Sequence, residues 1–159
     1  MKIIIFLLSL SSLSFGGDAE LKKADGLFER SLYQEALAVY DKEAGAPGEA
    51  GLKALCRAAE CEGLLFRYGE AAQRFSAAKL PADPLWRGRF LLLRAELGRQ
   101  FLSQYGYSLP ADILKGTTEV TKLTANEWGA RINADYDALW ELRNALAGAK
   151  LDDEAYFLD

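Results

Sequence analysis

Few side chains in this 159-residue chain are of a type that does chemistry. Histidine is absent, which removes the imidazole base, the Ser-His-Asp triad and the histidine metal ligand together. Cys56 and Cys61 remain, together with close carboxylate pairs such as Glu60 with Glu62 and Asp135 with Asp137. Facing carboxylates can serve as acid and base across a glycosidic bond. Two apart on a helix, however, they diverge, since helix neighbours lie three and four apart. Surface acids are therefore the expected reading of both pairs, and a small carboxylate-dependent hydrolase is the remote alternative. There is no Cys-x-x-Cys, no G-x-x-x-x-G-K phosphate loop and no G-x-S-x-G elbow. The expectation is a protein that is no enzyme and holds no cofactor or metal.

The cysteines are five apart in one helical stretch, which points them about 140° from each other with α-carbons about 8 Å apart. They are not expected to pair with one another. They read as small buried packing groups, with an intermolecular bridge or a reactive thiol as the alternatives.

The elements that carry these residues are helical almost throughout. Leu21, Ala24, Leu27 and Phe28 recur at steps of three and four, one buried helix face. A second helix is expected from about residue 32 to 44, with Ala36, Leu37 and Tyr40 inward, stopped by "GAPG". A third carries Leu52, Leu55, Ala59, Gly63 and Phe66 inward, and a fourth Ala71, Ala72, Phe75 and Ala78. "PADP" then marks a boundary, with Asp83 as N-cap and Pro84 at the first helical position. The one candidate strand is "TTEVTKL" at 117–123.

At the N-terminus, Lys2 precedes an apolar run from Ile3 to Leu13, then small residues. Ser14 and Gly16 fit a cleavage site before Gly17; a cut after Ala19 is the rival. The run is short of the roughly 20 residues that span a membrane, so residues 1–16 read as a signal peptide, with an uncleaved anchor as the alternative. No cysteine follows for a lipid anchor. The expected location is exported, periplasmic or secreted, without stable membrane insertion after removal of the leader, and with residues 17–159 forming one helical domain. The net charge of −4 without a basic stripe argues against nucleic acid.

Two stretches echo each other at a period of 34–35 residues. "SLYQEALAVY" at 31–40 is answered by "RYGEAAQRF" at 67–75, so that Tyr68, Glu70, Ala71 and Phe75 stand where Tyr33, Glu35, Ala36 and Tyr40 stood. With Ala24, Leu27 and Pro47 around the first copy, and Leu55, Ala59, Ala78 and Pro84 around the second, residues 18–84 resemble the tetratricopeptide repeat. The resemblance implies two antiparallel helix pairs, each burying an apolar side on its neighbour. The family's usual glycine before the turn is replaced by Ser31 and Phe66, and Glu62 stands where a large apolar residue is usual. In that family the first helix of each pair lines a binding groove. The positions that match here are Asp18, Leu21, Asp25, Phe28 and Glu29, then Lys53, Cys56, Glu60 and Leu64. The family's basic carboxylate clamp is absent, because Leu21, Asp25, Cys56 and Glu60 occupy its places. An acidic, partly apolar groove implies a basic or amphipathic segment of another protein as the partner.

Residues 84–105 predict a long helix, about 33 Å, apolar on more than one face and so placed centrally. After a short helical turn at "LPADILKG", "TANE" at 124–127 is a capping box and Gly148 a natural C-cap. Between them Trp128, Ile132, Tyr136, Leu139, Arg143 and Leu146 form a stripe expected to pack on the long helix and close the stack. Tyr136, Leu139, Trp140, Leu142, Arg143 and Leu146, with Tyr156, Phe157 and Leu158, also resemble the helical segment preceding the macroglobulin domains of bacterial alpha-macroglobulin-like envelope proteins. That resemblance implies a structural N-terminal piece of a protease-trap protein, and none of the family's thioester chemistry transfers. Alternatively, Tyr156, Phe157 and Leu158 fold back onto the long helix.

Overall fold

The computed structural model describes residues 15–111 and 119–150. Residues 1–14 of the expected leader 1–16, most of "LPADILKG" and the Tyr156–Leu158 cluster lie outside the described residues. Among the described residues seven helices follow one another: α1 (Phe15–Glu29), α2 (Tyr33–Glu43), α3 (Glu49–Leu64), α4 (Tyr68–Ala77), α5 (Pro84–Tyr105), α6 (Ala125–Glu141) and α7 (Arg143–Leu146). Short 3-10 turns lie at Gly106–Ser108 and Val120–Lys122. The fold is all-α, and no strand occurs among the described residues. The candidate strand is instead the second 3-10 turn, as far as it is described. Val120 and Leu123 are buried there, and the turn is pinned by Trp128 Nε1, which donates to the Val120 carbonyl at 2.9 Å.

Successive helices α1 to α6 pack on their sequence neighbours, and α1 also meets α3, as α3 meets α5. Three apolar clusters result from this order. Leu21 and Ala24 of α1, Ala36, Leu37 and Tyr40 of α2, and Ala54, Ala58 and Cys61 of α3 form the first. Cys56 and Ala59 join Ala71 and Phe75 of α4 and Trp86, Phe90 and Leu97 of α5 in the second. Phe101 and Ala95 of α5 meet Trp128 and Ile132 of α6 in the third, beside Val120 and Leu123. Helix α3 thus contributes to two cores from opposite sides. The expected single inward stripe does not describe it: Ala59 is buried, while Leu52 and Leu55 are only half-buried. Apart from the paired Arg57 and Glu62, its buried positions are small, and two layers close on it at once. Even the loop before it presses in, so a Cβ at Gly51 would fall 1.9 Å from the Ala46 carbonyl oxygen.

The two inter-helix turns share one geometry. Leu32 N–H donates to Leu27 O at 3.0 Å and Ser31 N–H to Phe28 O at 2.8 Å. One period later Arg67 N–H donates to Glu62 O at 2.8 Å and Phe66 N–H to Gly63 O at 3.0 Å. This paired closure of a helix end needs a left-handed residue, and it is supplied by Ser31 (φ 59°) and Phe66 (φ 60°). Phe66 is therefore not an inward residue of α3, as its helical spacing suggested. It lies past the helix end and is 75% exposed, edge-on to Tyr68.

Glu62 and Asp135 correct the surface-acid expectation. Glu62 is 4% exposed and accepts two bonds from Arg74 of α4, at 2.9 and 2.5 Å; the same guanidinium reaches Asp41 of α2 at 2.9 Å. Asp135 of α6 is buried and takes a bidentate pair from Arg94 of α5, at 2.8 and 2.5 Å. These acids tie helices together. Their neighbours Glu60 and Asp137 face elsewhere, the former paired with Arg57 and the latter exposed.

The expected caps of the long helices are present at their N-termini. Asp83 accepts from Trp86 N–H with Pro84 at the first helical position, and Thr124 and Glu127 form the reciprocal box. The C-terminal end differs from expectation: the terminal helix breaks at Leu142, whose N–H bonds to Leu139 O, and resumes as α7 with Ala147 as its C-cap.

Replacing Phe66 or Ser31 by glycine removes the left-handed penalty, which is about 1–2 kcal/mol per residue before the entropy that glycine adds to the unfolded chain. Each change is expected to raise the urea midpoint, by about 0.5–1 kcal/mol in stability, with an unchanged slope. Glu62→Ala leaves Arg74 partly buried without its main partner and is expected to cost about 3 kcal/mol. The double change Glu62→Leu with Arg74→Met should restore most of that loss.

Candidate interaction groove

Helix α5 has leucines on more sides than its neighbours cover. Trp86, Phe90, Leu97 and Phe101 enter the cores, Phe90 against Phe75 with ring centroids 5.1 Å apart. On another side Leu85, Gly88, Arg89, Leu92, Leu93 and Glu96 follow one another at alternating steps of three and one, a single helix face. Leu139 of α6 and Leu146 and Ala149 at and after α7 stand opposite, and Glu60 of α3 closes one end. The result is an apolar groove of about 330 Å³. Leu92, 42% exposed, marks its open side. The central helix is thus not covered all round, as its sequence suggested.

Both carboxylates of the groove are already engaged. Glu60 accepts from Arg57 at 2.8 Å, and the Arg57 guanidinium lies 4.6 Å over the ring of Phe28. Burial raises the Glu60 carboxyl above its ordinary value, with Arg57 opposing. Glu96 accepts from the Tyr136 hydroxyl at 2.5 Å and from Arg99 at 2.8 Å, and these bonds lower its carboxyl pKa. The linkage signs are opposite. Glu60, raised, contributes stability at low pH that is lost as the pH rises through its folded value; Glu96, lowered, contributes stability at higher pH that is lost as the pH falls through its own. Arg89 also lines the groove, and Glu60 and Glu96 are each paired with an arginine of their own helix, so the charges along this α5 groove are balanced.

The residues expected to line a first-helix groove are scattered by the fold. Leu21 is buried in the first core and Cys56 in the second, so neither can touch a partner. Asp25 accepts from the Tyr40 hydroxyl at 2.6 Å, bracing α1 on α2. Phe28 is half-buried between Tyr33 and Arg57. Glu29 is exposed, Lys53 pairs with Glu49 of its own helix, and Leu64 is 46% exposed. Only Glu60 of this set reaches the apolar groove. The reason is rotational: α3 is sandwiched, so its outward strip is narrow. The surplus leucines Leu92 and Leu93 were the sequence signal for the α5 face.

A wider cleft of about 1050 Å³ runs between α4, the end of α5 and the 3-10 turns, with Phe66, Phe101, Tyr105 and Leu109 on it. Its polar groups serve the fold: Arg74 holds Glu62 and Asp41, Arg67 holds Gln34 at 2.9 Å, and Gln73 accepts from Val120 N–H at 3.2 Å.

Among the described residues no cluster of metal-ligating side chains occurs and no helix is long and apolar enough to cross a membrane. Compared with protein-family profiles, curated proteins and solved structures, the chain matches none.

Cys56 and Cys61 are unpaired thiols, fully buried in different cores, and burial pushes both up to about 12. Thiolate is the reactive form. Ellman's reagent is therefore expected to titrate less than one thiol in the native protein and both in denaturant, with the melting temperature indifferent to reductant.

Proposed function

We propose that this chain is an exported, non-catalytic interaction module, built as a tetratricopeptide-like stack, that takes a segment of a partner protein into the groove along α5. The observation that carries this reading is the apolar groove itself: leucines from three helices left open beside a well-filled core. Apolar surface that a fold could have covered and did not is characteristic of contact sites. The stacking is supported by the repeated turn at Ser31 and Phe66 and by the contacts of α1 with α3 and α3 with α5. Export is supported by Lys2 and the apolar run 3–13 ahead of the small residues at 14–17.

The mechanism is helix-in-groove or extended-segment capture. Two or three large apolar anchors would replace water against Leu85, Leu92, Leu93, Leu139 and Leu146. Each fully buried anchor contributes about 1.5–3 kcal/mol before ordering costs. Because each groove carboxylate is matched by an arginine, the anchors would set affinity and the rim would set orientation. An amphipathic segment fits better than a purely basic one.

The test is selection of short peptides from a displayed random library on the full chain, followed by titration. Peptides with spaced large apolar residues and affinity of the order of 10 μM are expected. Leu92→Glu should weaken them at least tenfold with an unchanged melting curve, while Leu64→Ser and Phe28→Ser leave them unchanged. Weakening by the latter two alone would return the site to the first-helix face. Immunoblotting of cell fractions checks export, with a processed band below 17.5 kDa expected outside the cytoplasm.

A further inference from the structure

Between α4, α5 and α6 lies a crevice of about 240 Å³ that shares no residue with the α5 groove. Ala72 and Ser76 of α4 and Trp128, Arg131 and Ala134 of α6 line it, and the bidentate pair of Arg94 with Asp135 forms another wall. Arg131 and Asp135 are one turn apart on α6, a spacing at which opposite charges commonly pair. Arg94 has taken that carboxylate. Arg131 therefore meets no acid among the described residues and reaches across to the Ser76 hydroxyl instead, at 3.3 Å. That distance is long for a hydrogen bond. Most N–H groups of the Arg131 guanidinium are thus without a protein acceptor, as is Nη1 of Arg94, whose pair with Asp135 uses Nε and Nη2.

We propose that this crevice is a binding site for a small organic carboxylate. The forked donors of Arg131, aided by Arg94 and the Ser76 hydroxyl, take the two oxygens, and Trp128 with the two alanines covers the carbon body. Charge selects the class. Two guanidinium groups and one carboxylate line the crevice, a net charge of +1 (2 − 1), which a single ionised carboxyl group balances. A phosphate group, with about 1.5 to 2 negative charges, would overfill it. An arginine fork also matches a carboxylate with two parallel bonds, stronger than bonds between neutral groups. Size agrees: at about 30 Å³ per water molecule the crevice holds about eight waters, which suits a benzoate-sized acid and is too little for a segment of chain. Trp128 is buried at the floor, while Arg131 is exposed at the mouth. Binding there leaves the Arg94–Asp135 tie between α5 and α6 in place.

The experiment titrates sodium benzoate into the full chain at constant ionic strength and follows the indole N–H resonance of Trp128. A saturable shift is expected. Arg131→Gln should raise the half-saturating concentration at least tenfold with an unchanged melting temperature, because Arg131 is exposed and its bond to Ser76 is long. Arg131→Lys, which keeps the charge and loses the fork, should raise it at least threefold. Leu92→Glu in the α5 groove should leave the benzoate titration unchanged, so this site stands or falls separately from peptide capture. No saturation by about 50 mM benzoate would overturn the proposal, as would a half-saturating concentration that Arg131→Gln leaves where it was. Benzamide, of the same shape without the charge, should not saturate; if it binds as benzoate does, the carboxylate is not what is recognised and the proposal fails. Inorganic phosphate saturating at lower concentrations than benzoate would equally overturn it.

Discussion

The close approach of other helices to both sides of α3 is the constraint on which the remaining geometry depends. Helix axes pack 8–10 Å apart according to the side chains between them, and α3 presents Gly51, Ala54, Cys56, Ala58, Ala59 and Cys61 to its neighbours. The bulk filling the space comes from the other partners: Leu37 and Tyr40 of α2 on one side, Phe75, Trp86 and Phe90 from α4 and α5 on the other. A cysteine here is a small hydrophobe, and its burial is what silences its chemistry. The same crowding forces the charged residues of α3 to its margins, where Arg57, Glu60 and Glu62 each find a partner.

Those margins supply the polar registration of the stack. Arg74 reaches back to both α3 and α2, and Arg94 reaches forward from α5 to α6. Buried ion pairs contribute little net stability, because desolvation offsets attraction, yet removing one partner is costly. Their effect here is therefore to penalise helix rotations or slips that would separate the pairs. Small-residue packing alone would tolerate such slips, since alanines offer few distinct contours. The two features complement each other: the small residues set the spacing and the arginines set the register.

Contrast between large apolar and polar residues decided how much of the fold was legible in the sequence. Helices α2 and α4 alternate the two, so their buried faces could be read directly, and the side chains of Asp83 and Thr124 announce the starts of α5 and α6; α5, apolar on several sides, did not show which of its faces stays open. Helix α3 has little contrast, being small on nearly every side, and a stripe of Leu52, Leu55 and Phe66 drawn through it picked half-exposed positions and one beyond its end. Phe66 obeys a backbone demand that its side chain does not advertise. Glu62 and Asp135 looked like solvated acids because their arginines lie 12 and 41 residues away in sequence. The break at Leu142 has no glycine or proline to betray it. Position-matching to a repeat pattern placed a groove on α1 and α3, but such matching cannot tell that a matched residue has been turned into a core, as Leu21 and Cys56 have.

The break at Leu142 is also what shapes the groove. Along α6 the chain lies close on α5, with Trp128 and Ile132 over Gly98, where an added Cβ would meet them at 3.0 and 3.3 Å. A turn of different pitch at Leu142 then sets α7 over Gly88, again admitted by the missing side chain. The two glycines are ten residues apart on α5, which brings them some 80° away from a common face. The covering segment therefore crosses α5 obliquely and cannot hide all of the leucines between them. Leu92 stays exposed and Leu93 only partly buried because of where the backbone approaches, and substituting them alone would leave the opening in place. The opening is thus fixed by two glycines and a helix break, and its leucines are the lining that this backbone course leaves.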